Sequence, residues 1–357
     1  MSQEQRSDIQ ELLLETVRKK GSDLHLAPGL PPMARIHGDL EPLEADTIYP
    51  EDLQEMLYDI LKPNQIMTLE EELELDFSFS MSGISRFRGN VMRQRNSLGA
   101  VFRVVPWEIP KLEELGLPDI LSDFCDLPRG LVLLTGPTGS GKSTTLAAMI
   151  NRINENRRVN IVTVEDPIEF LHQHKSSIIK QREIGTDTHS FPEALRRVLR
   201  HDPDVILIGE MRDRESISIA LTAAETGHLV FSTLHTQTAA LAIHRIIDVF
   251  PEPMNIQIRQ QVADSLKAVV AQQILPRSDG EGRVVAAEVL VNTPALRNIV
   301  REGQDHQIYS MMQTGRREGM QTMDHALARL CLQGIITRQE AANRSVDRKE
   351  LERALMA

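Results

Sequence analysis

The sequence predicts an α/β protein in three parts. A small N-terminal α+β domain covers 1–107, a linker at 108–128 leads to an α/β core over 129–276, and a C-terminal helical region covers 277–357. Three observations predict this. Short, wholly apolar runs at Leu131–Leu134, Val159–Val164, Val205–Ile208 and Leu229–Thr233 alternate with helical patterns. Buried strands of a mostly parallel sheet, covered on both faces, read this way. Ahead of them, Leu75–Val105 alternates apolar and polar residues with a period of two, as half-buried strands do. Beyond Leu275 the spacing turns mainly helical, with Arg277–Gly282 as the expected seam.

Ile9, Leu12, Leu13 and Val17 form one stripe, which predicts an amphipathic helix that Gly21 stops. Ser22–Leu43 is cut by Pro28, Gly29, Pro31, Pro32 and Gly38 into short strands and turns. Asp52–Leu61 reads as a second helix, and three strands follow in Asp-Phe-Ser-Phe-Ser-Met, Arg-Phe-Arg-Gly-Asn-Val and Ala-Val-Phe-Arg-Val-Val. Pro106–Pro128 carries four prolines and the helix-like Leu112–Leu115, and reads as a linker ending in a short helix. Ser143–Ile153 is the first helix of the core.

The 357 residues suit two domains with room for a smaller third, and 41% hydrophobic with 25% charged residues is the balance of a soluble globular chain. Cys125 and Cys331 are too few and too far apart for a disulfide framework or a four-cysteine zinc site, and fit a reducing compartment. Met1–Lys20 carries Gln, Glu, Arg and Asp where a signal peptide needs an apolar run. Apolar stretches stay far below the ~20 residues that cross a bilayer, so any membrane role is expected to come through a protein partner. Forty Lys and Arg against 51 Asp and Glu leave a net charge of −11, which disfavours a nucleic-acid binder held by phosphate contacts.

Gly136-Pro137-Thr138-Gly139-Ser140-Gly141-Lys142-Ser143 is a complete phosphate-loop pattern between a strand and a helix. Its glycines let backbone N–H groups curl round phosphates at a helix N-terminus. Lys142 is expected to reach the β- and γ-phosphates, and the Ser143 hydroxyl to hold Mg²⁺. Glu165 and Glu210 each follow an apolar strand, and open parallel sheets bind ligands beyond the carboxyl ends of their strands. Either glutamate is suited to orient and deprotonate a water in line with the γ-phosphate; the plainer reading is a carboxylate solvating a turn. Ile206-Leu207-Ile208-Gly209-Glu210 lacks the aspartate that usually ends such a strand, so metal support falls to Ser143, water and Glu210. His228 and His235 flank the strand Leu229–Thr233 and are expected to sense the γ-phosphate and report it through the sheet. Their spacing is not that of a zinc site, and His172 with His174 reads as a solvated loop. Arg86, Arg88, Arg93, Arg95 and Arg103 crowd eighteen residues. Such a strand face is usually just solvated, yet these arginines are also suited to reach a phosphate bound on another subunit.

The stretches Gly136–Thr144, Val164–Glu169, Asp202–Asp213 and Ala224–Thr236 resemble the Walker A, Asp box, Walker B and His box of the secretion ATPase superfamily, and the resemblance extends over nearly the whole chain. Within it the chain is most similar to the type IV pilus retraction ATPases. It starts directly in the small N-terminal domain and lacks the four-cysteine zinc module of assembly ATPases. Pro294-Ala-Leu-Arg-Asn-Ile-Val-Arg-Glu302 is similar to the retraction signature Ala-Ile-Arg-Asn-Leu-Ile-Arg-Glu, with Leu296 in place of Ile and Ile299-Val300 in place of Leu-Ile. The resemblance implies a PAS-like N-terminal domain before a RecA-like ATPase core, with ATP and Mg²⁺ held at Gly136–Thr144. It implies water activation by Glu165, Glu210 near the metal, a histidine pair at His228 and His235, and Arg88 and Arg103 supplied from the N-terminal domain. It also implies a cytoplasmic homohexamer at the cytoplasmic face of the inner membrane. Each small domain would pack on the neighbouring core, and its motion would turn the platform protein at the pilus base.

Four readings stand against this motor. An accessory retraction ATPase, working beside a main motor, is faintly favoured by Gln94-Arg95-Asn96 and Gln272-Gln273. An assembly or type II secretion ATPase is disfavoured by length and by the missing cysteines. A nucleic-acid translocase on the same core is disfavoured by the net charge, and a non-enzymatic nucleotide sensor by Lys142, Glu165 and Glu210. Met311-Met312 and Met320–Leu332 read as packing or as a contact for the partner protein.

Overall fold

The computed structural model describes residues 8–81, 83–105 and 108–356. The first residues of Met1–Lys20 and residues 106–107, where the sequence places the end of the N-terminal domain, lie outside them. The chain divides into two compact units, one up to Glu108 together with Glu169–Leu171, the other Ile109–Ile168 and His172 onward.

In the first unit, α1 (Ile9–Arg18), β1 (Asp23–Leu26), β2 (Met33–Ile36), β3 (Asp39–Pro42), α2 (Pro50–Ile60), α3 (Pro63–Glu72), β4 (Glu74–Met81), β5 (Ser85–Gln94) and β6 (Ser97–Val105) follow in order. The strands form an antiparallel six-stranded sheet in the order β3-β2-β1-β6-β5-β4. Side chains alternate along a strand, so Phe77, Phe87, Val91 and Phe102 share a core with Leu12, Leu13, Leu53, Leu57 and Leu69 of the helices. Phe77 lies over Gly89, where a Cβ would meet its ring at 2.6 Å, and packs edge-on to Phe102. The helix α3 carries no apolar stripe, since Leu69 is its one buried residue. Its sequence signal is Pro63 at the first helical position.

The second unit opens with a 3-10 turn at Leu112–Leu115 and α4 (Ile120–Cys125). The linker read from 109 onward is therefore packed structure: Leu112, Leu121, Phe124 and Cys125 are buried against the core. The elements β7 (Gly130–Thr135), α5 (Lys142–Asn156), β8 (Asn160–Glu165), β9 (Ile178–Glu183), α6 (Phe191–Val198), β10 (Val205–Ile208), α7 (Arg214–Glu225), β11 (Leu229–Leu234), α8 (Ala239–Asp248) and α9 (Asn255–Ser265) follow. After them come β12 (Leu266–Pro276), β13 (Arg283–Val291), α10 (Pro294–Glu302), α11 (Ile308–Thr314), α12 (Met323–Leu332), α13 (Arg338–Arg344) and α14 (Arg348–Met356). A seven-stranded sheet runs β13-β12-β7-β11-β10-β8-β9, parallel except for the β12–β13 pair. Its apolar runs serve two layers at once. Leu131 and Leu133 face one cluster with α6 to α10, while Val132 and Leu134 face another with α4 and α5.

The helical reading beyond 277 fails at β13. Arg277–Gly282 is the turn of an antiparallel hairpin rather than a seam, and β13 closes the edge of the core sheet. β13 escapes a period-two reading because Ala286–Leu290 is buried without a break. β9 escapes it for the opposite reason, as a polar edge strand reading Ile-Ile-Lys-Gln-Arg-Glu.

Candidate active site

The loop after β7 begins at Gly136 and enters α5 at Lys142. Gly136 sits at φ +142° with a would-be Cβ 2.4 Å from the Gln272 carbonyl oxygen and 2.6 Å from Ser140 Oγ, so no side chain fits there. Gly139 and Gly141 also have positive φ, +79° and +87°, where other residues are strained. Pro137, Thr138 and Gly139 form the exposed crest, and Ser143 and Thr144 lie open or half-open on the first turn of α5. Ser140 is 2% exposed and its Oγ has no hydrogen-bond partner among the described residues. A buried, unsatisfied hydroxyl inside a glycine cradle at the start of a fifteen-residue helix fits a phosphate oxygen. Lys142 Nζ donates to the Gly136 and Pro137 carbonyls at 2.8 and 3.0 Å. Burial lowers its pKa, and the negative charge of Glu210 opposes that shift.

Strand order then decides which groups approach the loop. β11 is the direct neighbour of β7, β10 comes next and β8 third. At ~4.8 Å per strand, Glu210 after β10 lies roughly 10 Å across the sheet from β7, and Glu165 at the end of β8 one strand further. Thr135 Oγ1 donates to the Thr236 carbonyl at 2.5 Å and accepts from Thr236 N at 3.0 Å, which clamps the ends of β7 and β11. Thr233 Oγ1 donates to the Gly209 carbonyl at 2.7 Å. His235 Nε2 thereby comes to 3.2 Å from Glu210 Oε1, and Arg212 Nε to 2.6 Å from the same oxygen. Burial alone would raise the Glu210 pKa; the Arg212 hydrogen bond and the charges of His235 and Arg212 outweigh it and hold the carboxylate below its usual range. Gly209 brings the two glutamate-bearing strand ends together, its N–H donating to the Val164 carbonyl at 2.7 Å and a would-be Cβ lying 3.2 Å from Glu165 Cα. Glu165 Oε1 accepts from Thr163 Oγ1 at 2.6 Å and from Gln181 Nε2 at 3.1 Å.

His228 does not join this group. It precedes β11, its carbonyl accepts from Gly130 N at 3.0 Å, and its Nδ1 lies 3.0 Å from the Ala223 carbonyl oxygen. It therefore stands at the opposite end of β11, ~23 Å along the strand from His235, and cannot touch a phosphate in the loop of its own core. His174 Nδ1 accepts from Ile179 N at 3.1 Å within its own loop, and burial pushes the His172 imidazole down to about 4. Arg212, Gln272 and Thr135 were invisible as site residues in the sequence. Gln272 Nε2 donates to Thr145 Oγ1 on α5 at 3.0 Å, a contact between residues 127 apart.

In the first unit, Arg88 and Arg103 are direct cross-strand neighbours, with Asp23 next in the same row. Like charges opposite one another are unfavourable, and the buried carboxylate of Asp23 offsets this by accepting from Arg103 Nε at 2.8 Å. Arg88 Nη1 lies 3.6 Å from Glu169 Oε1. The other three are engaged otherwise: Arg93 pairs with Glu70 at 2.5 Å, Arg86 Nη1 donates to Ser80 Oγ at 3.3 Å, and Arg95 with Asn96 forms the positive-φ turn between β5 and β6.

The cradle, its lysine and the glutamate beyond the neighbouring strands define a P-loop ATPase with a RecA-like core. Residues 100–344 match the type II/IV secretion system protein family, and the chain belongs to that family. It is similar to the type IV pilus retractation ATPase PilT of Pseudomonas aeruginosa, at 48% identity over 338 residues covering 95% of this chain and 98% of the other. It is also similar to the twitching motility protein of Neisseria gonorrhoeae, at 49% identity with 89% and 85% covered. The crystal structure of the pilus retraction motor PilT with bound ADP matches with a TM-score of 0.90 at 47% identity, covering 97% of this chain and 99% of that one. Among the described residues no helix is long and apolar enough to cross a membrane.

Proposed function

We propose that this chain is a Mg²⁺-dependent ATPase that drives type IV pilus retraction, working as a ring of six copies on the platform protein at the cytoplasmic face of the inner membrane. The observation that carries this reading is the meeting of the glycine cradle, His235 and Glu210 on neighbouring parallel strands, in a chain 48% identical to a pilus retractation ATPase. ATP phosphates enter the Gly136–Ser143 cradle, and Lys142 exchanges two loop carbonyls for phosphate oxygens. Ser143 and Glu210 would hold Mg²⁺, which supplies charge neutralisation at the phosphates when bound. Glu210, kept ionised by Arg212 and His235, orients the attacking water and accepts its proton, a role the resemblance gives to Glu165, which ends one strand further from the loop. Arg88 and Arg103 are offered to the phosphates of a neighbouring copy, a contribution worth roughly 10³–10⁵ in rate where such arginines act.

The test is a count of surface pili on a deletion strain, with and without a rescue copy carrying Glu210→Gln. Excess pili with lost twitching, uncorrected by the variant, is the expected result. Bald cells would make the protein an extension ATPase, and normal pili an accessory paralogue.

A further inference from the structure

A cavity of about 940 Å³ opens among the C-terminal helices of the second unit, lined by none of the nucleotide-loop residues. Its apolar walls include Met312 and Met320, both buried, and Leu332, which is 63% exposed. Three arginines reach it from three separate elements: Arg316 from the 3-10 turn Arg316–Glu318, Arg329 from α12 and Arg353 from α14. None of the three makes an ion pair among the described residues, in a chain whose acids outnumber its bases by eleven. The one carboxylate in the lining is spent elsewhere. Glu350 is 6% exposed, accepts from Gln313 Nε2 and from Thr322 Oγ1 at 3.1 Å, and lies 3.2 Å from His325 Nδ1. Gly319 closes the wall at φ +83°, where a Cβ would meet Ile120 Cδ1 at 2.1 Å.

We propose that this cavity is a second ligand site, for a small organic molecule carrying a phosphate group on an apolar or aromatic body. The volume lies in the range of roughly 300–1,000 Å³ usual for such ligands. Guanidinium forks match phosphate oxygens, and three forks supply more donors than a single carboxylate takes up. The methionines and Leu332 give the body an adaptable apolar wall. The site stands apart from the ATPase reading and does not depend on it.

Phenyl phosphate is the probe, titrated calorimetrically into the full chain with the nucleotide site saturated by ADP. One saturable site per chain is expected, at least ~10-fold tighter than inorganic phosphate or phenol. Arg329→Gln and Arg353→Gln should each weaken it ~5-fold or more while ADP binding and ATP turnover stay unchanged. Lys142→Ala, read without ADP, should leave phenyl phosphate affinity as it was. Absence of saturable heat, an affinity no better than inorganic phosphate, or an affinity that survives substitution of all three arginines overturns the assignment, whatever the turnover assays give. Should the triple variant lose ADP binding through misfolding, the single variants decide.

Discussion

Lys142 and Glu210 divide the proposed chemistry between them. Lys142 sits where burial disfavours its charge, and the negative charge of Glu210 opposes that; a bound phosphate would add a second, closer counter-charge. Lys142→Ala should abolish phosphate release in a steady-state assay. Glu210→Gln should lower kcat by ~10² or more while calorimetry still registers ADP binding; full activity in both variants would remove the mechanism. Arg212 supplies a pH test. It is the largest influence holding the Glu210 pKa down, so Arg212→Ala should raise that pKa and move the acid limb of the kcat profile to higher pH. A limb that stays in place would separate Glu210 from the proton transfer.

At the scale of elements, the β12–β13 hairpin is more than an edge. Glu288 on β13 is 2% exposed and accepts from Ala239 N at 2.7 Å, which fastens the first turn of α8 just beyond the Thr135–Thr236 clamp. Burial raises its carboxyl to about 7, against the opposing backbone hydrogen bonds from Ala239 and Met323 and with help from Asp324 and Glu350. Since the folded pKa lies above the ordinary 4.5, the folded chain binds the extra proton. That contribution is whole below the ordinary value and is lost as pH rises through about 7. Thermal melts should therefore show Glu288→Gln gaining on the parent chain from ~pH 5 to ~pH 8; parallel melting curves across that window would contradict the buried-acid account. At the loop, Gly136→Ala places a methyl against the Gln272 backbone, and nucleotide affinity should fall even where the chain still folds.

Charge is unevenly spread over the whole molecule. Residues 41–76 hold twelve acids and a single base, Lys62, so this stretch accounts for the entire net charge of −11 and the remainder is neutral. Those residues form β3 to the start of β4 in the first unit, and they make a polyanion an unsuitable partner there. Turnover should be indifferent to added DNA at low salt, where stimulation would support the translocase alternative. A ring in which Arg88 and Arg103 serve a neighbour predicts turnover per chain that rises with protein concentration. It also predicts that Arg88→Ala chains mixed with Glu210→Gln chains recover part of the activity each lacks.

Much of this was legible in the chain. The cradle is a local object: eight consecutive residues with glycines where backbone must approach an anion, followed by a helix. The buried strands were legible because burial on both faces leaves uninterrupted apolar runs. Nothing local marks Arg212 or Gln272, or separates His235 from His228. Their roles depend on which strands lie side by side and at which end, and that order arises from packing between residues far apart in sequence. The same holds for β13, whose helix-like spacing yields to pairing with β12. Sequence alone determined the chemistry available at the loop, because that chemistry resides in adjacent residues. The tertiary structure decided which carboxylate faces the loop, which histidine joins it and which arginines make no ion pair among the described residues, because those are distances between elements.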